Sequence, residues 1–288
     1  MSTETTPAAA QKAAAGVSRI VLGVEYKGSN YCGFQLQQMG TPSVQGYLEE
    51  ALQHINADLP VRISCAGRTD AMVHACNQVI HFDTPVQRSM RSWMMGANRY
   101  LPKDISVVWA QAMPMDFHSR FSAMARRYRY VIYSDEVRPA HLAEEVTWTH
   151  QTLDVEKMRE AARCFLGTHN FNALRASGCQ ARSPVRTIHH LQLLEFGKLI
   201  IIDVRANAFL HHMVRNLAGV LMMIGAGERP IEWAQSVLES CDRKAGGVTA
   251  PPHGLYLVQV EYPEQFKLPE RYLGPHFLSG LPDTFAHK

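Results

Sequence analysis

Three segments of this 288-residue chain carry side chains that could do chemistry. The first is Gly67-Arg68-Thr69-Asp70, in the turn between two apolar stretches. A carboxylate at a loop tip between buried strands is placed to point into a cleft. The alternative is an Asx-turn, in which Asp70 bonds its own backbone. The second is Arg126-Arg127-Tyr128-Arg129-Tyr130. Alternate residues of a strand face opposite ways, so Arg127 and Arg129 share one face and Tyr128 and Tyr130 the other. That separates a phosphate-binding row from an aromatic row of the kind that stacks unpaired bases. The alternative puts the tyrosines in the core and the arginines in water. The third segment runs from Asn207 to Asn216, through Phe209, His211, His212 and Arg215. Arg215 falls in a helical pattern that is otherwise apolar for a turn on either side. Buried there, its guanidinium needs a carboxylate, because removing an unpaired charge from water costs several kcal/mol. Asp70 is the best candidate, and the pair would hold it ionised; the alternative has Arg215 snorkel to solvent. His211 and His212 read as packing or phosphate contacts, since adjacent residues on a helix diverge by about 100°.

These segments must be held by a framework, and the periodicity supplies one. Alternation predicts a strand over 18–26. Pro42 opens a helix with Val44, Tyr47, Leu48, Ala51, Leu52 and Ile55 on one side. Strands near 62–67 and 74–83 follow, then a helix carrying Met90, Trp93, Met94, Ala97 and Leu101, stopped by Pro102, and a strand over 105–113. The second half repeats the order. It runs from a strand at 126–134 to a helix at 154–166 and a polar loop at 168–185. Strands follow near 186–196 and 199–206, then helix 208–225, a short helix after Pro230, and a strand at 254–261. The pattern predicts an α+β fold of two tandem ferredoxin-like β-α-β-β-α-β halves, joined into one large mixed, mainly antiparallel sheet with a central cleft. That cleft is expected on the face without helices. The halves divide at 18–125 and 126–262, after an unstructured lead-in of 1–17 and before a C-terminal tail of 263–288.

Composition narrows the class. With 46% apolar and 19% charged residues, the chain is neither disordered nor fibrous. No apolar run approaches the roughly 20 residues of a membrane span. The lead-in lacks the marks of a signal peptide, so a cytoplasmic protein is expected. Six scattered cysteines without a CxxC do not suggest a disulfide framework. Cys65, His74, Cys76 and His81 lack paired-ligand spacing, so no metal is expected. The net charge is only +3, yet cations cluster without acids from Ala161 to Leu194, including Arg175, Arg182 and Arg186. Acids collect around Asp135–Glu160. One basic and one acidic side suit a polyanion such as nucleic acid; ordinary solvated surface is the plainer alternative.

The three segments, in this order and together with Gly254-Leu255-Tyr256-Leu257, resemble the tRNA pseudouridine synthase A family. The match extends through Ala71, Val73-His74-Ala75 and the Ala125–Tyr130 strand, over roughly residues 18–262. The resemblance implies an isomerase that converts uridine to pseudouridine at positions 38, 39 and 40 of the tRNA anticodon stem-loop. It implies a homodimer, no membrane, no cofactor and no metal. By position, Asp70 would be the nucleophile and Arg215 its ion-pair partner. Tyr128 would stack on the target uracil and assist proton movement, Leu255 would pack against the base, and Arg68 would help evict the nucleotide. The acid-free loops 27–41 and 168–185 would grip the RNA backbone, with Arg175 and Arg182 as contacts. The family carries Gly two residues after the aspartate, where Met72 stands here; a positive φ at that position would strain the turn. The rival expectation is a non-catalytic RNA-binding protein on the same duplicated fold. An aspartyl-phosphate enzyme is disfavoured, because Asp70 to Ile80 holds no further carboxylate for Mg²⁺.

Overall fold

The computed structural model describes residues 16–37 and 40–281, so the expected lead-in lies, apart from Gly16 and Val17, outside the described residues. Ten strands form one sheet. In the first half, β1 (Ser18–Tyr26), α1 (Val44–Ile55), β2 (Ser64–Cys65), β3 (His74–Thr84), α2 (Met90–Tyr100) and β4 (Ile105–Met113) follow in order. The second half contributes β5 (Ala125–Ser134), β6 (Thr147–Thr149), α3 (Val155–Ala162), β7 (Gly167–Asn170), β8 (Val185–Phe196) and β9 (Leu199–Ala206). It ends with α4 (Met213–Gly225), α5 (Trp233–Ser240) and β10 (Leu255–Glu261). The strand order is β4-β1-β3-β10-β5-β9-β8-β7, with β2 beside β3 and β6 beside β5. The trio β4-β1-β3 is thus repeated as β10-β5-β9, and the two trios meet in a parallel β3–β10 seam. Only two residue pairs make that seam, Tyr256 with His74 and Leu257 with Ala75.

Helix α1 starts where Ser43 accepts a hydrogen bond from the Gly46 amide, and α2 where Ser89 accepts one from Ser92. Each cap satisfies an amide that has no partner within its helix. The buried stripe Val44, Leu48, Ala51, Leu52 and Ile55 is the predicted one, while Tyr47 stays 40% exposed and outside it. Trp93 of α2 meets Phe82 of β3 edge to face at 5.3 Å. That face of the sheet also carries Ile20, Leu22, Val24 and Tyr26 of β1, which pair with Phe82, Ile80, Gln78 and Ala75. Across the seam, Leu257, Tyr128 and Val204 continue it, and all join one core with α1, α2, α3, α4 and α5. The helices of both halves therefore lie on one face. On the other, Cys76, Val131, Ile201, Tyr256 and Val258 are covered by Leu278 and Leu281, with Leu273 and Phe277 packed beside them.

Several expectations are corrected. Strand β2 keeps only Ser64–Cys65 of the expected 62–67, because the neighbouring Ile63 amide is taken by the Glu49 carboxylate of α1. The helix expected over 154–166 is α-helical only to Ala162 and then tightens into a 3₁₀ turn at Arg163–Phe165. The helix expected from 208 begins at Met213, and 208–212 is a loop. The short strands β6 and β7 were not expected. The cleft does not lie on the helix-free face, which the C-terminal segment occupies. It opens on the helical face, where residues of the 66–73 loop and of the 208–215 segment line it above the seam. Among the described residues, no helix is long and apolar enough to cross a membrane.

Candidate active site

The Asp70 loop is fixed from three sides. Tyr26 Oη lies 2.7 Å from Thr69 Oγ1, and the Gln78 side chain bonds both the amide and the carbonyl of Gly67 at 3.3 and 2.5 Å. From the 28–34 segment, the Phe34 amide donates to the Thr69 carbonyl at 3.1 Å and the Tyr31 carbonyl accepts from Met72 at 3.2 Å. Gly33 makes this approach possible: a Cβ there would sit 2.8 Å from the Thr69 carbonyl oxygen. The Val73 amide donates to the Asp70 carbonyl at 3.2 Å, closing the turn. Met72 does have a positive φ, +65°, in a region that costs a non-glycine residue about 1–2 kcal/mol. Asp70 is therefore held by its loop with the carboxylate free to face the cleft, and the reading of an Asx-turn finds no side-chain bond to support it among the hydrogen bonds of the described residues.

Three cationic or basic groups meet that carboxylate. His211 Nε2 is 3.2 Å from Oδ1, His212 Nε2 is 3.4 Å from Oδ2, and Arg215 Nη1 is 3.9 Å from Oδ2. Arg215 projects from the first turn of α4 with its side chain only 14% exposed. Its Nε donates to the Ala250 carbonyl at 2.9 Å, and its own carbonyl accepts from the Ala250 amide. Burial lowers the Arg215 pKa while the Asp70 charge acts against that, so the guanidinium is placed and paired rather than snorkelling. The two histidines converge because they are not helical. His212 sits in the left-handed region at φ 60°, which undoes the expected divergence and brings the imidazole centroids to 4.0 Å. Burial lowers the His212 pKa, with Asp70 opposing and Arg215 reinforcing that shift. A neutral His212 can accept a proton beside the carboxylate. Asp70, His211 and His212 are also the one convergent set of potential metal donors among the described residues. The set Cys65, His74, Cys76 and His81 is not such a cluster: His74 spends Nδ1 on the Gly28 amide and Nε2 on the His253 carbonyl.

Tyr128 and Leu255 form the floor. Tyr128 is buried and meets Phe209 edge to face at 5.0 Å. Burial raises its phenol pKa, with Arg126 pulling the other way, so the ring carries its proton at neutral pH. Leu255 is paired with Tyr130 across β10 and β5. It follows Gly254, where a Cβ would meet the Val131 carbonyl at 2.4 Å. Tyr130 is a core residue, its hydroxyl bound to Thr147 and the Pro251 carbonyl. The predicted phosphate row is corrected. Arg127 and Arg129 are buried on the opposite face and both grip Asp203, Arg127 with Nε and Nη2 at 2.6 and 2.8 Å and Arg129 with Nε at 2.9 Å. The alternation is as expected, but a distant carboxylate claims the cations.

The cleft measures roughly 1200 Å³, beyond the 300–1000 Å³ or so of ordinary small-molecule sites. Its lining carries Arg68, Arg120, Arg126, Arg186 and Arg215 against a single acid, Asp70. Arg68 is exposed at the rim. From the two acid-free loops, Cys32, Gly33, Gln35 and Gln37 line one side and Gly178–Ala181 the other. Arg175 braces the second loop, its Nη2 donating to the carbonyls of Cys179 and Ala181 at 2.5 and 3.0 Å, and Arg182 stands exposed beyond it. Sequence reasoning missed Arg120 and Phe121 as cleft residues, and gave no role of their own to Arg126 and Phe209, which lie in the segments it singles out and line the cleft as well. The Phe121 signal, an aromatic between Arg120 and Arg126, was present but has no strand or helix period to mark it.

A family model described as tRNA pseudouridine synthase matches residues 23–122 and 161–263. A protein of Pseudomonas aeruginosa named tRNA pseudouridine synthase A is 68% identical over 277 residues, covering 96% of this chain and 97% of its own. Proteins with the same name from Alcanivorax borkumensis and Coxiella burnetii are 53% and 52% identical over 262 residues, covering 91% of this chain and 98% and 100% of theirs. Among solved structures, a Cbf5-Nop10-Gar1 complex aligns with 83% of the chain and 48% of its own at 12% identity and a TM-score of 0.34, too distant to bear on the site. The chain belongs to the tRNA pseudouridine synthase family, and so to the isomerases that convert uridine to pseudouridine.

Proposed function

We propose that the protein converts uridine to pseudouridine in tRNA, at positions 38, 39 and 40 of the anticodon stem-loop, with Asp70 opening the reaction as a nucleophile. The observation that carries this is the meeting of Asp70, Tyr128, Arg215 and Leu255, from four separated segments, in a basic cleft whose one acid is Asp70. The isomerisation breaks the bond from ribose C1′ to N1, turns the base and joins C1′ to C5. The C5 proton leaves and N1 gains one, so atoms balance without a redox partner. A carboxylate can form the transient covalent bond to base or sugar that keeps the fragments together. Arg215, held by Ala250, aims that carboxylate and faces its charge. Tyr128 stacks on the uracil and, still protonated, takes part in proton transfer, while Leu255 packs against the base.

A stacked uridine must be flipped out, at a cost of a few kcal/mol that is smallest near loop ends. Arg68, exposed on the cleft lining, helps evict the nucleotide in this reading. The basic lining supplies phosphate contacts, with Arg182 reaching the backbone directly and Arg175 acting through the loop it braces. A homodimer in which both copies hold one tRNA accompanies this reading. The test is to map pseudouridine in an unmodified tRNA transcript after incubation with the purified protein. Product confined to positions 38–40 supports the proposal; product elsewhere, or binding without product, overturns it, the latter leaving an RNA-binding protein.

A further inference from the structure

Phe121 plays no part in the reaction above, yet its ring is 77% exposed at the edge of the cleft it lines with His118 and Arg120. A lone exposed apolar residue is ordinary; the support beneath this one is not. The turn is closed by the Ser122 amide donating to the His118 carbonyl and the His118 amide to Ser122 Oγ, both at 2.9 Å. His118 Nδ1 accepts from the amides of Arg120 and Phe121 at 3.1 and 3.3 Å. Arg126 Nη2 donates to the Arg120 carbonyl at 2.9 Å. Beneath, Ser119 is fully buried, its Oγ donating to the Ser64 carbonyl and its carbonyl accepting from Tyr262 Oη. The chain is thus pinned on each side of a ring it holds out in solvent.

The neighbours of the ring are aromatic and cationic. The His118 imidazole lies 4.3 Å from Phe121 at 35° and is backed by His81 at 4.6 Å, while the Arg120 guanidinium stands 5.7 Å over the phenyl ring. An exposed phenyl ring flanked by a tilted imidazole, with a guanidinium beside it in a cleft of five arginines and one acid, matches a nucleobase with its phosphate. An acidic peptide would use the cations but not the aromatic rings.

We propose that Phe121, supported by His118, is a stacking platform for an unpaired nucleobase of the RNA substrate, separate from the flipped uridine, and that Arg120 pairs with the adjoining phosphate. The proposal rests on the reading of the cleft as an RNA site. The probe is an anticodon stem-loop RNA carrying 2-aminopurine at one unpaired position at a time. Wild-type protein should quench the fluorescence of at least one of these. Phe121→Ala and Phe121→Leu should lose that quench and weaken binding about tenfold, and Phe121→Trp should keep both. Leu at 121 matching wild type, or a melting temperature that falls by several degrees in the variants, overturns the platform, since the ring would then be a plain apolar contact or a structural one. The two proposals fail separately. Product formation with no dependence on Phe121 removes the platform alone. A Phe121-dependent quench without product removes the synthase reading alone.

Discussion

Replacing Arg215 by Gln isolates the electrostatic part of the site. Nη1 stands 3.9 Å from Asp70 Oδ2, and with an effective dielectric of about 20 such a pair interacts by about 4 kcal/mol. Asp70 is 27% exposed, so solvent screening reduces this to about 2 kcal/mol. If that attraction is what aims the nucleophile and steadies its charge through the reaction, its loss slows the chemical step about 30-fold. Gln keeps a donor for the Ala250 carbonyl, so the loss of fold stability stays near 1 kcal/mol, as for one ordinary hydrogen bond. The assay is single-turnover pseudouridine formation with enzyme in excess, repeated over a range of enzyme concentrations to separate binding from chemistry. The expected result is a slower rate at saturation with little change in RNA affinity, partly restored by Arg215→Lys. A saturating rate within threefold of wild type, or an effect confined to affinity, would refute the reasoning.

Three other predictions concern the frame of the site. Asp203→Asn leaves Arg127 and Arg129 buried against a neutral amide, and should cost about 3–5 kcal/mol in urea denaturation; less than 1 kcal/mol would show the cluster to be dispensable. Burial lowers the His74 pKa from 6.5 to about 4, so the unfolded chain binds the extra proton first. Stability from this group is complete above about pH 6.5 and declines as pH falls from there towards 4, by about 3 kcal/mol at most. Denaturation midpoints of wild type and His74→Gln between pH 7 and 4.5 check this, and equal slopes would contradict it. Met72→Gly removes the left-handed strain at φ +65° but adds chain entropy to the unfolded state, for a net gain of about 0.5–1 kcal/mol. A loss of stability would mean that the Met72 side chain holds the turn by packing.

Much of the frame was legible because it obeys short-range rules. The stripe from Val44 to Ile55, apart from Tyr47, and the alternation of Arg127 and Arg129 with Tyr128 and Tyr130 follow from helix and strand periods. The repeated order of elements predicted the doubled trio of strands. What the sequence hid depends on partners far along the chain. Nothing near Arg127 or Arg129 announces Asp203, more than 70 residues away, so a buried ion-pair cluster reads as a phosphate row. The helical pattern of 208–225 extends through His211 and His212, and only the left-handed backbone at His212 turns both imidazoles to Asp70. The cleft was assigned to the bare face because the sequence does not reveal that the segment ending at Leu281 covers that face. Asp70 is the best carboxylate the sequence offers Arg215, and Arg215 Nη1 stands 3.9 Å from its Oδ2.

The central claim is that Asp70 starts the isomerisation. The most direct measurement compares pseudouridine formed in unmodified tRNA by the wild-type protein and by Asp70→Asn, both in EDTA and at saturating enzyme. The account predicts product from the wild type and none above background from the variant, with RNA affinity retained. Product from Asp70→Asn at a comparable rate would contradict it.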